Sequence, residues 1–222
     1  MAHSTRRGLQ LAALLLSLSL AGQSLPGGGP DTCPDSDRLP AKGQVAAADV
    51  AGRYRLDPQS SKLEFCVDHF PFSTVRGTFL KYEGGFTIPP QSLEDTRVSV
   101  VIWPESAATG TPSIDELLVG ERFFAVAHYP EIRFKSTDIE LKDNGSATLT
   151  GDLTLRGVTK PVSFDVEYAF SPFDPKSSER RVSFAATVVI SRSEFGMDQL
   201  SAVVDDAVKI CLTVEAFREQ AG

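Results

Sequence analysis

Reactive side chains are what this chain has least of: three histidines, three cysteines and two methionines in 222 residues. The histidines never fall in a His-Glu-x-x-His spacing and no Cys-x-x-Cys occurs, so the sequence offers no metal site and no dithiol redox motif. It also lacks a Gly-x-Ser-x-Gly elbow to present a nucleophile and a glycine-rich loop to cradle a phosphate. Positive charge is short as well, with 22 Lys and Arg against 29 Asp and Glu, a formal net charge of −7. Binding to nucleic acid or to anionic head groups draws on clustered cations, and such clusters are missing. Long apolar runs are limited to Leu9–Leu20, too short for the roughly 20 residues that cross a bilayer.

What is present begins with an export signal. Arg6 and Arg7 form a charged head, Leu9–Leu20 is an uncharged core, and Ser19-Leu20-Ala21 supplies small residues at a cleavage site. Residues 1–21 therefore read as a cleavable signal peptide, giving a periplasmic protein. The Arg6-Arg7 pair leaves twin-arginine export beside ordinary Sec export, and Gln23 stands where a lipoprotein would carry its cysteine. Cleavage removes two basic residues and no acidic ones, leaving 20 against 29, a charge of −9. Residues 22–49, rich in Pro and Gly, read as a flexible linker, residues 50–218 as one folded domain and 219–222 as a tail.

Inside that domain the apolar period is two almost everywhere. Leu63, Phe65, Val67 and His69 share one face, as do Val98, Val100 and Ile102, and then Leu149, Gly151, Leu153 and Leu155. Val162–Phe170, Val182–Ile190 and Val208–Val214 alternate in the same way. With residues 74–88 and 132–141 this makes eight strands, the second bent at Gly84-Gly85. Asp143-Asn144-Gly145 and Arg156-Gly157 read as hairpin corners. One helix follows Ser113, with Ser113 and Glu116 as a capping box and Ile114, Leu117 and Leu118 as its stripe; a second short turn covers 194–200. Eight antiparallel strands with one dry face must close on themselves or pack on another sheet. The closed form encloses a centre that is either filled by side chains or able to hold one slender ligand. Fourteen phenylalanines favour such an apolar interior.

Three cysteines survive export. Cys66 and Cys211 fall in the first and last strands, neighbours in a closed barrel, so a bridge between them is one reading. Unpaired thiols, or pairing of one of them with Cys33, are the others, and an odd count leaves one thiol over. Of the mature histidines, His69 continues an apolar face and His128 precedes Tyr129-Pro130 in a loop.

The stretch from Tyr54-Arg55-Leu56-Asp57 to Val214-Glu215-Ala216 resembles the YceI-like family of exported barrels. The resemblance is carried by Ser60–Phe65 with Val67 and His69, Val75–Phe79, Thr109-Gly110 with Asp115, Tyr129-Pro130, the Gly151–Val162 block and Ser191–Met197. It implies an all-β, eight-stranded antiparallel lipocalin-like β-barrel, capped by one or two short helices. It further implies a soluble, non-enzymatic carrier whose lumen sequesters an isoprenoid chain, an isoprenoid quinone or a fatty amide, with no cofactor besides that ligand. The chain departs from the family in its helix, where Ile114-Asp115 and Leu117-Leu118-Val119 replace a more polar pattern. The expected ligand-binding residues are Phe65, Val67, His69, Phe79, Val100, Ile102, Phe134, Leu153, Phe164, Phe184 and Met197, with Leu117 and Leu118 at the entrance. Expected partners are a long-chain apolar molecule, a membrane touched transiently for loading and a second copy in a homodimer. The alternatives are a periplasmic stress or interaction module with a filled barrel, and a hydrolase or isomerase using His69.

Overall fold

A computed structural model describes residues 45–70, 73–142, 145–171 and 180–219. The signal peptide, Cys33 and the corner residues Asp143-Asn144 lie outside the described residues. Residues 47–50, at the end of the stretch the sequence reads as linker, form a one-turn helix α1 (Ala47–Val50) whose Val50 is fully buried. Eleven strand segments follow: β1 (Gly52–Leu56), β2 (Lys62–His69), β3 (Ser73–Phe79), β4 (Tyr82–Ile88), β5 (Arg97–Ile102) and β6 (Ala107–Ala108), then helix α2 (Pro112–Val119), β7 (Ile132–Lys142), β8 (Ser146–Leu155), β9 (Val158–Phe170), β10 (Arg181–Ser191) and β11 (Val204–Arg218).

The eleven segments make eight walls. β1 and β2 both run along β11, so they are one strand interrupted at residues 57–61. The interruption is stitched by Asp57 N–H to Glu215 O (2.8 Å) and by Ser61 Oγ, which accepts from Glu215 N–H (3.0 Å). β3 with β4, and β5 with β6, are likewise single bent strands, since β2 pairs with β3, β1 and β5 with β4, and β3 with β6. β5 then pairs with β7, followed by β8, β9, β10 and β11, and β11 returns to β1 and β2. The result is a closed antiparallel meander. Such closure leaves no sheet edge, which is how an all-β chain with one dry face hides it.

The bend in the second wall falls at Leu80-Lys81 rather than at Gly84-Gly85, and main-chain bonds from Leu80 to Ser106 (3.1 Å) and from Trp103 to Lys81 (3.0 Å) bridge it. The two glycines answer a different demand. A Cβ at Gly84 would lie 2.4 Å from Ser99 O and one at Gly85 2.1 Å from Tyr54 O, so the neighbouring backbones approach too closely for any side chain. The Arg156-Gly157 corner is a two-residue turn with both φ positive, as expected.

One arc of the barrel carries a second buried cluster. Val50, Tyr54, Phe86, Val182, Val214 and Ala216 pack there, with Tyr54 stacked on Phe86 (4.8 Å) and Tyr54 Oη donating to Val50 O (2.8 Å). The wall between β9 and β10, which borders this arc, is held by fewer main-chain bonds. The β9–β10 ladder covers only Asp165–Phe170 and Val182–Thr187, so Val188–Ser191 keep a hydrogen-bonded neighbour only in β11.

Cys66 and Cys211 pack together, buried, on the outer face of β2 and β11. Their direct bridge is not formed: register sets Cys66 opposite Lys209 and Cys211 opposite Glu64, and the disulfide of Cys211 is made with another partner. The alternative pairing with Cys33 lies outside the described residues.

Candidate functional site: the barrel lumen

The inward faces enclose a cavity of ≈ 290 Å³. Its volume lies at the lower edge of the roughly 300–1,000 Å³ typical of small-molecule sites. Hydrocarbon lines it almost throughout. Phe65, Val67, Phe79, Val100, Ile102, Phe134, Leu153, Phe164 and Phe184 face it from alternating strand positions, and Leu118 and Met197 face it from α2 and the loop before β11. Ring contacts order the aromatics: Phe65 meets Phe79 at 5.2 Å, Phe79 meets Phe124 at 5.8 Å, and Phe134 meets Phe164 edge-on at 5.3 Å. Gly77 makes the first of these contacts workable. A Cβ there would stand 2.3 Å from the Phe65 ring, so only glycine lets that ring lie across β3.

Two expected residues stand elsewhere. His69 ends β2 at the rim, pairs with Val204, and its Nδ1 lies 3.4 Å from Ser73 Oγ, outside the lumen. A register shift in β11 between Val204 and Val208 breaks the alternation opposite it. Leu117 is half-buried, and the adjacent Leu118 takes the inward position. His128 is exposed, its Nε2 3.4 Å from Glu121 Oε1.

The chain between β6 and β7 crosses one end of the lumen. Phe123 and Phe124 are buried and line the cavity, and Phe124 N–H bonds to Leu118 O (2.9 Å), which ties the plug to α2. The helix itself starts differently from expectation. Thr111 is its N-cap, without a side-chain cap bond, and Pro112 opens the first turn; Ser113 and Glu116 form no capping box. Asp115 does the anchoring, its Oδ1 accepting from Thr109 N–H (2.7 Å) and Thr109 Oγ1 (2.6 Å). Charged acceptors make the stronger hydrogen bonds, about 1.5–3 kcal/mol each. Asp115→Ala is therefore expected to lower the melting temperature by a few degrees and to speed proteolysis between residues 109 and 120. An unaltered cleavage pattern would argue that the plug is held by packing alone.

The same end carries a second turn over Arg192–Phe195, two residues earlier than expected. Arg192 is the polar residue that alternation foretells but composition hides, because it continues the Val188–Ile190 face. It lines the cavity while only 3 % exposed. Its guanidinium donates to four main-chain carbonyls, those of Met197, Gln199 (2.8 Å), Val204 (2.9 Å) and Asp205 (2.8 Å). Asp206 sits beside it. The Ser191 hydroxyl above all, then Ser193 and the Arg192 charge, hold its carboxyl below the usual carboxylate range. Other polar lining groups are few. They are Glu64, Thr96 and Tyr168, whose phenol is pushed up by burial.

A family model for the YceI-like domain matches residues 54–216, nearly the whole barrel. The chain belongs to the YceI-like family. Curated relatives agree with that: a UPF0312 protein of Pseudomonas putida strain W619 is 30% identical over 173 residues, covering 77% of this chain and 89% of its own. One from Yersinia pestis strain Pestoides F is 31% identical over 176 residues, covering 78% and 91%. The Campylobacter jejuni YCEI crystal structure superposes with a TM-score of 0.62 at 27% identity, covering 69% of this chain and 90% of that one. A polyisoprenoid binding domain from Saccharophagus degradans shares the fold at 14% identity, TM-score 0.57, covering 75% and 98%. The eight-stranded closed barrel read from sequence is thus the YceI-like fold. Among the described residues no group of His, Cys, Asp and Glu could hold a metal ion.

Proposed function

We propose that this YceI-like protein is an exported, periplasmic carrier that sequesters one long apolar molecule in its lumen without covalent chemistry. Three guest classes match: an isoprenoid chain, an isoprenoid quinone or a fatty amide. The observation that carries this reading is the cavity itself, a ≈ 290 Å³ space walled almost wholly by hydrocarbon. Each buried CH₂ contributes about 0.8 kcal/mol. A tail of some fifteen carbons would gain on the order of 10 kcal/mol gross, against several kcal/mol for immobilising it. No polar contact is required for micromolar affinity. The neighbour described as a polyisoprenoid binding domain lends the guest class support at the level of fold. The sparse polar lining supplies no paired acid and base, which favours holding over converting.

The direct test is native mass spectrometry on protein prepared without detergent. A retained, dissociable mass of several hundred daltons is expected. Bare protein that also refuses added geranylgeraniol would remove the proposal and favour a scaffold with a merely packed centre.

A further inference from the structure

A water-insoluble guest has to reach the lumen from somewhere, and one rim of the barrel is unusually greasy. Phe70 is 56 % exposed, Leu200 38 % and Val203 39 %. They are neighbours through the main chain: Phe70 N–H bonds to Val203 O (2.8 Å), and Val203 N–H bonds to Leu200 O (2.9 Å). Leu200 sits at φ 59, a left-handed conformation that a leucine adopts only under strain. The fold thus holds an apolar side chain at a turn tip where Asn or Gly would be easier. The patch borders the guest's space, since Val204, next to Val203, lines the cavity, as do Met197 and Val67.

We propose that the Phe70–Leu200–Val203 tip is a bilayer-docking surface, through which the barrel rests on a neutral membrane while its guest is exchanged. This deepens the carrier reading and rests on it. Apolar loop tips that insert at the interface draw on buried area rather than on charge. The charge here selects the kind of membrane. Residues 193–208 contain Glu194, Asp198, Asp205 and Asp206, against one arginine at this border, Arg156, which donates to Gly196 O (2.8 Å). Such a border is repelled by anionic head groups, so phosphatidylcholine or phosphatidylethanolamine surfaces fit and anionic ones do not.

The test compares the mature chain with a Phe70→Ser/Leu200→Asn/Val203→Thr variant, by flotation with phosphatidylcholine vesicles. Asn tolerates the left-handed turn, so the variant retains its fold, verified by an unchanged melting curve. Wild type is expected to float and the variant to bind about ten-fold more weakly or less. Replacing about a third of the lipid with phosphatidylserine should weaken wild-type binding, and added salt should restore it. Equal flotation of the two proteins, or no flotation of wild type, overturns the proposal. So does a wild-type dimer that the variant abolishes, since the tip would then face a second copy. Geranylgeraniol delivered from ethanol bypasses the membrane. Its uptake by both proteins shows that any failure belongs to docking and not to the lumen.

Discussion

Val100→Trp is expected to abolish loading while leaving the barrel intact. Val100 lies midway along β5, paired with Gly84 on one side and Phe134 on the other, and its side chain faces the lumen. An indole in that position occupies space the guest needs. Denying a chain about four methylene groups removes about 3 kcal/mol, more than 100-fold in affinity. Overpacking a full core typically costs about 1–3 kcal/mol. Here the ring enters unfilled volume, so the penalty falls toward the lower end and the far-ultraviolet circular dichroism should not change. Native mass spectrometry reads the outcome. Wild-type occupancy in a folded Val100→Trp protein would mean that the guest binds outside the lumen. Val100→Ala, which enlarges the space, should keep the guest.

The largest effect on stability is expected from Arg192→Met. Four carbonyls from residues 197–205 converge on one buried guanidinium, and methionine can satisfy none of them. Breaking a buried charged arrangement costs about 3–5 kcal/mol, and for a domain of this size each kcal/mol moves the melting temperature by about 2–4 °C. A fall of about 6–20 °C follows. Arg192→Lys should recover only part of it, because one ammonium cannot reach a fan of four acceptors. A melting temperature within a degree or two of wild type would show that the 197–205 segment is held by Phe195 and Met197 packing instead.

Much of this site is written in strand alternation. Phe65, Val100, Phe134, Leu153, Phe164 and Phe184 face inward because a closed sheet with one dry face leaves them nowhere else to go. The same logic extended one step would have found Arg192 and Thr96, which share parity with apolar neighbours already assigned inward. It fails wherever the period slips. In β7 the inward residues switch from Ile132 and Phe134 to Ile139 and Leu141, an even-to-odd change produced by a bulge at Thr137. His69 is misplaced for a related reason, lying opposite the irregularity in β11. Helix faces are harder still. In α2 both Leu117 and Leu118 belong to one apolar stripe, and only the plug of Phe123 and Phe124 decides which leucine turns inward. Cysteine pairing was illegible as well, because adjacency of two strands does not set the register that puts Cys66 beside Lys209 rather than Cys211.

The short ladder between β9 and β10 leaves the cylinder fastened like a zip that stops partway. Around the rest of the circumference, parting two walls means breaking a long row of bonds together. Along Val188–Ser191 that work is already done, so thermal breathing concentrates there instead of being shared evenly. A rigid vessel thereby acquires one soft flank, and its capacity to yield to a bulkier guest is localised in the wall that holds Ile190 and Phe164.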